Sequence, residues 1–404
     1  MLLLYTSGIK FYSLIIWIFS YFNKKAALFI SGRQQIFSKI ADKVNPHDEN
    51  IWFHFASLGE FEQGRPVLEK IKAFSPQKKI IITFFSPSGY EIRKNYALAD
   101  AIFYLPMDTK SNAKKFIELI KPEMAIFTKY EFWHFYFSEL NKNNIPLYLI
   151  SGIFRPNQIF FKNYGGFYRN MLKSVMHFFV QNEESKNLLN SIGVSATTIS
   201  GDTRFDRVYE NAAQPKQLPS IKQFCENAKT LICGSTWPED EKLIADLATK
   251  YQNWRFIIAP HEVDENHIQN IERLFEKSIR FSNLENAASL KSNILIIDNI
   301  GMLSSLYQYG RIAYIGGGFG AGIHNTLEAA AFGLPVIFGP KYDKFQEAKD
   351  LIKIDAAKSI STKEELFAAF EYFMANQKSS AAAKNYVLES KGATEIILAK
   401  ILKV

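Results

Sequence analysis

Two glutamates stand directly after apolar runs that the pattern predicts as β-strands. Glu60 ends the segment from His54 to Glu60, which follows a strand expected at 51–55 and precedes an amphipathic stretch. A carboxylate at a helix N-terminus is favoured in its ionised form, and in a cleft it can act as a general base. Glu131 follows the apolar run 124–128 in the same way. Each residue alone is better explained as an acidic helix cap, but two such acids in one half of the chain favour a catalytic site.

A glycine-rich segment in the second half of the chain predicts a site for a phosphate-containing ligand. Gly316 to Gly322 follow a strand expected at 311–315, and a helix is expected to begin near His324. The glycines allow the backbone to approach a ligand closely, and the helix N-terminus supplies N–H donors. Glu328 lies about one turn into that helix, where its carboxylate can bond paired ribose hydroxyls.

A second candidate phosphate site lies at Gly234-Ser235-Thr236, again between an expected strand and an expected helix. Backbone N–H groups and two hydroxyls at a helix start suit a phosphate. The same residues are equally well explained as a Ser/Thr helix cap followed by Pro238 in the first turn. The segment alone therefore leaves both interpretations open.

Other catalytic motifs are weak or missing. Gly316, Gly318 and Ala321 fit a loose dinucleotide fingerprint, but the next expected strand ends in Gly339-Pro340 and not in an acid that could hold a ribose. The sequence has no Asp-x-Asp pair, Walker loop, His-Glu-x-x-His or Gly-x-Ser-x-Gly. A nicotinamide enzyme and a metal-dependent enzyme are therefore disfavoured.

The elements that must position these residues indicate two α/β domains. The chain has 404 residues, of which 47% are hydrophobic and 22% charged, which are values of a globular protein. Short apolar runs alternate with amphipathic stretches after residue 50, a pattern typical of parallel sheets flanked by helices. Residues 211–228 interrupt the pattern and read as a linker. We expect a membrane-associated helix at 1–25, domains at 26–210 and 211–385, a C-terminal helix at 386–404, and a ligand between the domains.

Charge and the N-terminus point to an anionic partner and a membrane. The net charge is +8, which is modest for a nucleic-acid-binding protein, so no nucleic-acid partner is expected. Residues 1–22 are almost uncharged, and the first 45 residues hold six basic residues against one acid. A cleavable signal peptide is disfavoured because no small-residue cleavage site follows. A spanning helix, a helix lying in the membrane interface and a core helix all remain open.

Taken together and in order, five segments resemble the 3-deoxy-D-manno-octulosonic acid (Kdo) transferases of lipopolysaccharide synthesis. The resemblance covers nearly the whole chain. The matching segments are His-x-x-Ser-x-Gly-Glu at 54–60, Glu-x-Trp at 131–133, Gly-Asn-x-Lys-Phe-Asp as 201–206, Gly-Ser-Thr at 234–236, and Gly-His-Asn-x-Leu-Glu as 323–328.

The resemblance implies the two-domain GT-B fold, with two Rossmann-like domains and a cleft between them. It implies transfer of Kdo from CMP-Kdo to a lipid A precursor, with inversion and without a metal or other cofactor, at the cytoplasmic face of the inner membrane. Glu60 is then the catalytic base and Glu131 a second required acid. The residues implied in binding CMP-Kdo are Ser235, Thr236, His261, Gly317, Gly318, Asn325 and Glu328.

Two departures and three alternatives accompany the resemblance. Pro260-His261-Glu262 stands where the family often has Pro-Arg-His, which removes a basic contact to an anion, and Ile323 stands where a glycine is usual. The alternatives are a GT-B enzyme with another donor such as a UDP-sugar, a membrane-tethered nucleotide-binding protein without turnover, and a nicotinamide reductase. Two adjacent acids argue against a protein without turnover.

Overall fold

The structure, a computed structural model, describes residues 1–129, 131–284 and 292–402. Contacts between Cα atoms divide the chain into two compact units. The first unit comprises Met1–Arg207 together with the residues from Gly392 onward, and the second comprises Val208–Lys391. Each unit is built on its own seven-stranded parallel sheet.

In the first unit the strands follow the order β3-β2-β1-β4-β5-β6-β7 across the sheet. The strands are β1 Asn50–Phe55, β2 Lys79–Phe84, β3 Ala101–Tyr104, β4 Met124–Thr128, β5 Leu147–Gly152, β6 His177–Val180 and β7 Thr197–Ile199. The helices are α1 Leu2–Phe19, α2 Lys24–Ser31, α3 Ile36–Lys43, α4 Leu58–Phe74, α5 Pro87–Arg93, α6 Lys110–Ile120, α7 His134–Lys142, α8 Gly166–Leu172, α9 Glu183–Ser191 and α10 Arg204–Ala213, which runs on into the second unit.

The second unit repeats this design with the order β10-β11-β9-β8-β12-β13-β14. The strands are β8 Lys229–Thr236, β9 Trp254–Pro260, β10 Ile279–Arg280, β11 Ile294–Ile296, β12 Ile312–Ile315, β13 Val336–Phe338 and β14 Ala357–Ser359. The helices are α11 Pro219–Cys225, α12 Pro238–Lys250, α13 Glu265–Leu274, α14 Leu303–Leu306, α15 Leu327–Ala331, α16 Gln346–Lys353, α17 Lys363–Ala375 and α18 Lys378–Ser390; α19 Ala393–Ile401 belongs to the first unit.

Burial on both faces explains why the central strands read as continuous apolar runs. All six residues of β1 are buried, as expected for a parallel strand covered by helices on both sides. Because side chains alternate along a strand, Phe53 packs into one core layer and Trp52 into the other. His54 lies on the same side of the sheet as Trp52, and it is completely buried.

The predicted α/β class and the two Rossmann-like domains are confirmed, whereas several boundaries differ. The predicted linker 211–228 contains helix α11, because Pro219 starts that helix and it buries Ile221 and Phe224. The strands β10 and β14 were not predicted. The boundaries between the two compact units fall after Arg207 and again after Lys391. The sequence predicts these two boundaries after residues 210 and 385 instead.

The single C-terminal helix predicted at 386–404 is two helices in the described part of the chain, with residues 403–404 outside it. Gly392 breaks the chain direction with a φ of +112°, a left-handed value that favours glycine. Asp206 then accepts hydrogen bonds from the backbone N–H groups of Gly392 and Thr394, at 2.5 and 2.7 Å. Asp206, which belongs to a segment used above for the resemblance, therefore caps α19 and fastens it to the first unit.

Candidate active site

The two glutamates singled out in the sequence follow neighbouring strands of the first sheet. In its strand order, β1 lies between β2 and β4, so the chain reverses its direction of winding between β1 and β4. Ligands of open α/β sheets bind beside the carboxyl ends of the strands at such a reversal. Glu60 follows β1 and Glu131 follows β4. The sheet order thus brings together two acids that lie far apart in the sequence.

Helix α4 holds Glu60 close to the end of β1. Gly64 allows this close packing, because a Cβ at that position would lie 2.2 Å from the Phe55 ring. Glu60 lies in the first turn of α4, and its Oε2 accepts a hydrogen bond from the Ala56 N–H at 2.5 Å. The carboxylate is therefore fixed by the backbone that connects the strand to the helix.

The protonation of Glu60 differs from the expectation that the helix N-terminus simply keeps it ionised. Burial, followed by the nearby charge of Glu131, raises the pKa of Glu60 to about 7. Hydrogen bonds from Ala56 and Ser57 and the charge of Lys129 act in the opposite direction and are outweighed. A carboxyl group with a pKa near the working pH is well suited to accept a proton in a reaction.

Glu131 contacts two ring nitrogens at the turn after β4, those of Trp133 and His54. Lys129 turns the chain there with a φ of +59°, a left-handed conformation that costs a non-glycine residue about 1–2 kcal/mol. Such strain is concentrated at functional sites. The Trp133 Nε1–H donates to Glu131 Oε2 at 2.9 Å, and His54 Nε2 lies 3.2 Å from the same oxygen. Tyr130, in the middle of the predicted segment, lies outside the described residues.

In the second unit, the reversal of winding falls between β8 and β12. The segment Gly234-Ser235-Thr236 ends β8, and Ser235 adopts a left-handed φ of +53°. The Thr236 side chain is fully buried, and its hydroxyl donates to Glu241 Oε1 at 2.9 Å. Of the two hydroxyls predicted to bind phosphate, that of Thr236 is thus used inside the unit, and Ser235 is partly exposed.

The predicted glycine-rich segment follows β12, and its glycines serve backbone packing. A Cβ at Gly316 would lie 2.3 Å from the Ser235 carbonyl oxygen, and one at Gly318 would lie 2.6 Å from Gly339. Gly317 has a φ of +90°, and its N–H donates to Asp240 Oδ2 at 2.9 Å. The N–H of Gly317, expected to face a ligand, is therefore occupied by a carboxylate of the same unit.

The remaining predicted donor-site residues lie around these two segments. The His261 ring stacks between Trp237 and His324, with centroids 4.9 and 4.4 Å away. Burial and the neighbouring His261 lower the pKa of His324 to about 4. Asn325 Nδ2 donates to Glu328 Oε1 at 3.1 Å at the start of α15. The second unit thus collects Ser235, His261, Asn325 and Glu328 at the carboxyl edge of one sheet.

Three polar residues of these sites were missed by the sequence reasoning. Asp240 and Glu241, at the start of α12, are buried, and burial raises the pKa of both. Asp240 also accepts from the Tyr314 hydroxyl at 2.8 Å, so it joins α12 to β12. Thr83 is the third residue. The sequence feature that could have revealed it is its single hydroxyl group within the mostly apolar strand β2.

No group of three or more His, Cys, Asp or Glu in residues 1–129, 131–284 and 292–402 is placed to hold a metal ion.

Comparison with known proteins supports the resemblance seen in the sequence. The family model of 3-deoxy-D-manno-octulosonic-acid transferases (Kdo transferases) matches residues 31–207. A 3-deoxy-D-manno-octulosonic acid transferase of Rickettsia bellii is 27% identical over 348 residues, which cover 83% of this chain and 82% of the relative. A bifunctional glycosyltransferase/methyltransferase of Fusobacterium nucleatum is 28% identical over 377 residues, or 89% of this chain, but the match spans only 57% of that longer relative.

Solved structures support the fold. A UDP-GlcNAc 2-epimerase of Neisseria meningitidis, bound to UDP-GlcNAc, aligns with a TM-score of 0.61 and 18% identity over 88% of this chain and 100% of that chain. At this identity the likeness shows the fold alone, which is the predicted GT-B architecture of two Rossmann-like domains. The family model, the relatives and the ordered motifs agree, so residues 31–207 belong to the family of 3-deoxy-D-manno-octulosonic acid transferases, and the chain as a whole is similar to members of that family.

Proposed function

We propose that this protein transfers Kdo from CMP-Kdo to a lipid A precursor, with inversion at the anomeric carbon and without a metal ion. The observation that carries the proposal is Glu60, whose pKa is raised to about 7 and which lies beside Glu131 at the carboxyl edge of β1 and β4. The match of residues 31–207 to the Kdo transferase family model and the similarity to Kdo transferases support the sugar and the donor. The acceptor, the role of Glu60 as base and the independence from metal are implied by the resemblance of the ordered sequence segments to that family.

In the proposed reaction Glu60 acts as the general base. Its carboxylate takes the proton of an acceptor hydroxyl, and the hydroxyl oxygen attacks the anomeric carbon of Kdo from the face opposite the phosphate. The new C–O bond forms as the bond to the CMP phosphate breaks, and CMP leaves with the electron pair. A single displacement of this kind inverts the configuration. Glu131 keeps the pKa of Glu60 high enough for efficient proton transfer.

The second unit is proposed to bind CMP-Kdo. Its polar groups at the carboxyl edge suit the parts of a cytidine nucleotide, since Glu328 can accept from ribose hydroxyls and Ser235 can donate to a phosphate. Backbone N–H groups and a helix N-terminus stabilise negative charge as the phosphate leaves. In the proposed mechanism these groups stabilise the charge of the leaving phosphate, which a divalent cation stabilises in other glycosyltransferases.

The acceptor is proposed to reach the site from a membrane that α1 contacts. Tyr5 fastens α1 to the first unit, because its hydroxyl donates to Asp108 Oδ2 at 2.5 Å, and the Tyr12 ring stacks on Phe85. Among the described residues, α1 is the one helix long and apolar enough to cross a membrane, and none of it is buried. Since α1 is held along the body at two points, we propose that it lies in the interface at the cytoplasmic face of the inner membrane.

Replacing apolar residues on the free face of α1 with glutamine is expected to release the protein from membranes. Phe11 and Trp17 are 64% and 49% exposed, so the double substitution removes apolar area that would enter the lipid while leaving Tyr5 and Tyr12 in place. Flotation with vesicles of mixed neutral and anionic lipids measures the bound fraction. Phe74 is also 68% exposed but lies at the end of α4, so Phe74→Gln is the matched control. Equal binding of all three proteins would contradict the proposed orientation.

The function as a whole is tested by CMP release from CMP-Kdo. We expect release to depend on a tetra-acylated lipid A precursor, to be inhibited by CMP much more strongly than by UDP, and to persist in EDTA. Release without the acceptor lipid would indicate hydrolysis and not transfer. Inhibition by UDP in preference to CMP would indicate another donor, and loss of activity in EDTA would contradict the metal-independent mechanism.

A further inference from the structure

A chain of hydrogen bonds runs from the interior of the first sheet to the carboxylate of Glu131. His54 on β1 and Thr83 on β2 are partners in the parallel ladder, so their side chains lie next to each other. The Thr83 hydroxyl lies 2.8 Å from His54 Nδ1 and also 2.8 Å from Trp52 Nε1. Trp52, His54 and Thr83 are all completely buried, so these contacts are sheltered from water.

The order of donors and acceptors in this chain follows from its two ends. The Trp52 indole N–H can only donate, so it occupies one lone pair of the Thr83 oxygen. At the other end, an ionised Glu131 can only accept, so His54 Nε2 must carry the proton where it meets Glu131 at 3.2 Å. Neutral His54 then has a bare Nδ1, which accepts the Thr83 hydroxyl hydrogen. Every member of the chain is satisfied in this arrangement.

The other tautomer of His54 leaves the same groups poorly paired. With the proton on Nδ1, the lone pair of Nε2 faces Glu131 Oε2, and the two acceptors share only the Trp133 N–H, which is 3.3 and 2.9 Å from them. The Thr83 hydroxyl then has only the Phe53 carbonyl as an acceptor, at 3.4 Å. A doubly protonated His54 displaces the Thr83 hydrogen to the same distant carbonyl. Leaving buried donors and acceptors poorly paired is energetically unfavourable, so this tautomer is disfavoured.

We propose that Thr83 is a positioning residue for the active site: its hydroxyl selects the His54 tautomer whose Nε2–H binds Glu131. The consequence for transfer rests on the proposed function. A bound Nε2–H holds the Glu131 carboxylate in place, and the charge of Glu131 in turn raises the pKa of Glu60. Lys129 after β4 also acts on Glu60, and the charge of Glu131 acts on Tyr12 of α1.

The first test reads the tautomer directly and needs no catalytic activity. Nitrogen-15 NMR of histidine-labelled full-length protein in detergent, with the His54 signals assigned by their loss in His54→Gln, shows which ring nitrogen carries the proton. We expect a bare Nδ1 and a protonated Nε2 in the wild type and in Thr83→Ser, which keeps the hydroxyl. In Thr83→Val, which has nearly the same shape, we expect the proton to shift partly or fully to Nδ1.

The second test reads the consequence in the pH profile of kcat/KM. Thr83→Val is expected to move the acidic limb to lower pH by up to about one unit, since Glu131 then acts less strongly on Glu60. Thr83→Ser is expected to restore the wild-type limb, and melting curves show whether each variant is folded. A protonated Nδ1 in the wild type, or a Thr83→Val protein with an unchanged tautomer and an unchanged limb, would overturn the proposal. A bare Nδ1 in a wild-type protein that transfers no Kdo would refute only the proposed function.

Discussion

Glu60→Gln is expected to lower the rate of Kdo transfer roughly 100- to 10,000-fold, the usual contribution of a general base. Glutamine has the same shape and can still accept the hydrogen bond that the Ala56 N–H donates to Glu60. It cannot take a proton from the acceptor hydroxyl. CMP binding, measured by calorimetry, is expected to stay unchanged, because the proposed nucleotide site is built from Val208–Lys391 and Glu60 belongs to the other unit.

Glu62→Gln is the matched control for this experiment. Glu62 lies on the same helix, two residues further on, and its carboxylate pairs with Arg65 and Arg93 at the surface. Surface pairs of this kind contribute about 0–1 kcal/mol to stability. We expect near wild-type turnover for Glu62→Gln. If both variants kept near wild-type turnover, or if both lost turnover to the same extent, Glu60 would not be the base.

Glu131→Gln is expected to shift the pH dependence of kcat/KM toward lower pH. The base must be ionised, so the wild-type rate should rise with pH and reach half its maximum near pH 7, the pKa of Glu60. A neighbouring negative charge makes ionisation of Glu60 harder, and its removal therefore lowers the pKa of Glu60. We expect a shift of about one pH unit, with burial still holding the pKa above the ordinary value for glutamate.

The pH at which kcat/KM reaches half its maximum is informative even if the maximal rate of Glu131→Gln falls. A lower plateau alone would show that Glu131 is required, and the shift shows that it acts through the charge on Glu60. Glu123→Gln is a suitable control, because Glu123 lies just before the opposite end of β4 and pairs with Lys78 at the surface. For Glu123→Gln, the pH of half-maximal kcat/KM should equal that of the wild type. An unchanged value in Glu131→Gln would contradict the coupling of the two acids.

Much of the fold could be predicted because central parallel strands are marked by their burial. The run that became β4 was predicted with the bounds that the structure shows, since both faces of the strand are covered and few polar residues interrupt it. The edge strands β10 and β14 have two and three residues, too few to form a pattern. Pro215 and Pro219 suggested a linker, but Pro219 is the first residue of α11, and the buried Ile221 and Phe224 stabilise that helix.

Sequence patterns could single out individual candidate residues of the site but not the partners that each residue contacts. Glu60 and Glu131 were singled out as candidates because each lies a few residues after a strand, which is a local feature. The raised pKa of Glu60 depends on β1 lying beside β4, and the contact between His54 and Thr83 depends on β1 lying beside β2. Strand order is set by packing of the whole sheet. For the same reason, the engagement of the Gly317 N–H by Asp240 could not be read from the glycine run.

The most direct test of the central claim is the mass and anomeric configuration of the lipid product. The full-length protein is incubated with CMP-Kdo and a tetra-acylated lipid A precursor, and the product is examined by mass spectrometry and NMR. We expect the lipid to gain the mass of at least one Kdo residue, with an anomeric configuration opposite to that in CMP-Kdo. A lipid of unchanged mass, or a product that retains the donor's configuration, would contradict the proposed transfer by a single displacement with Glu60 as the base.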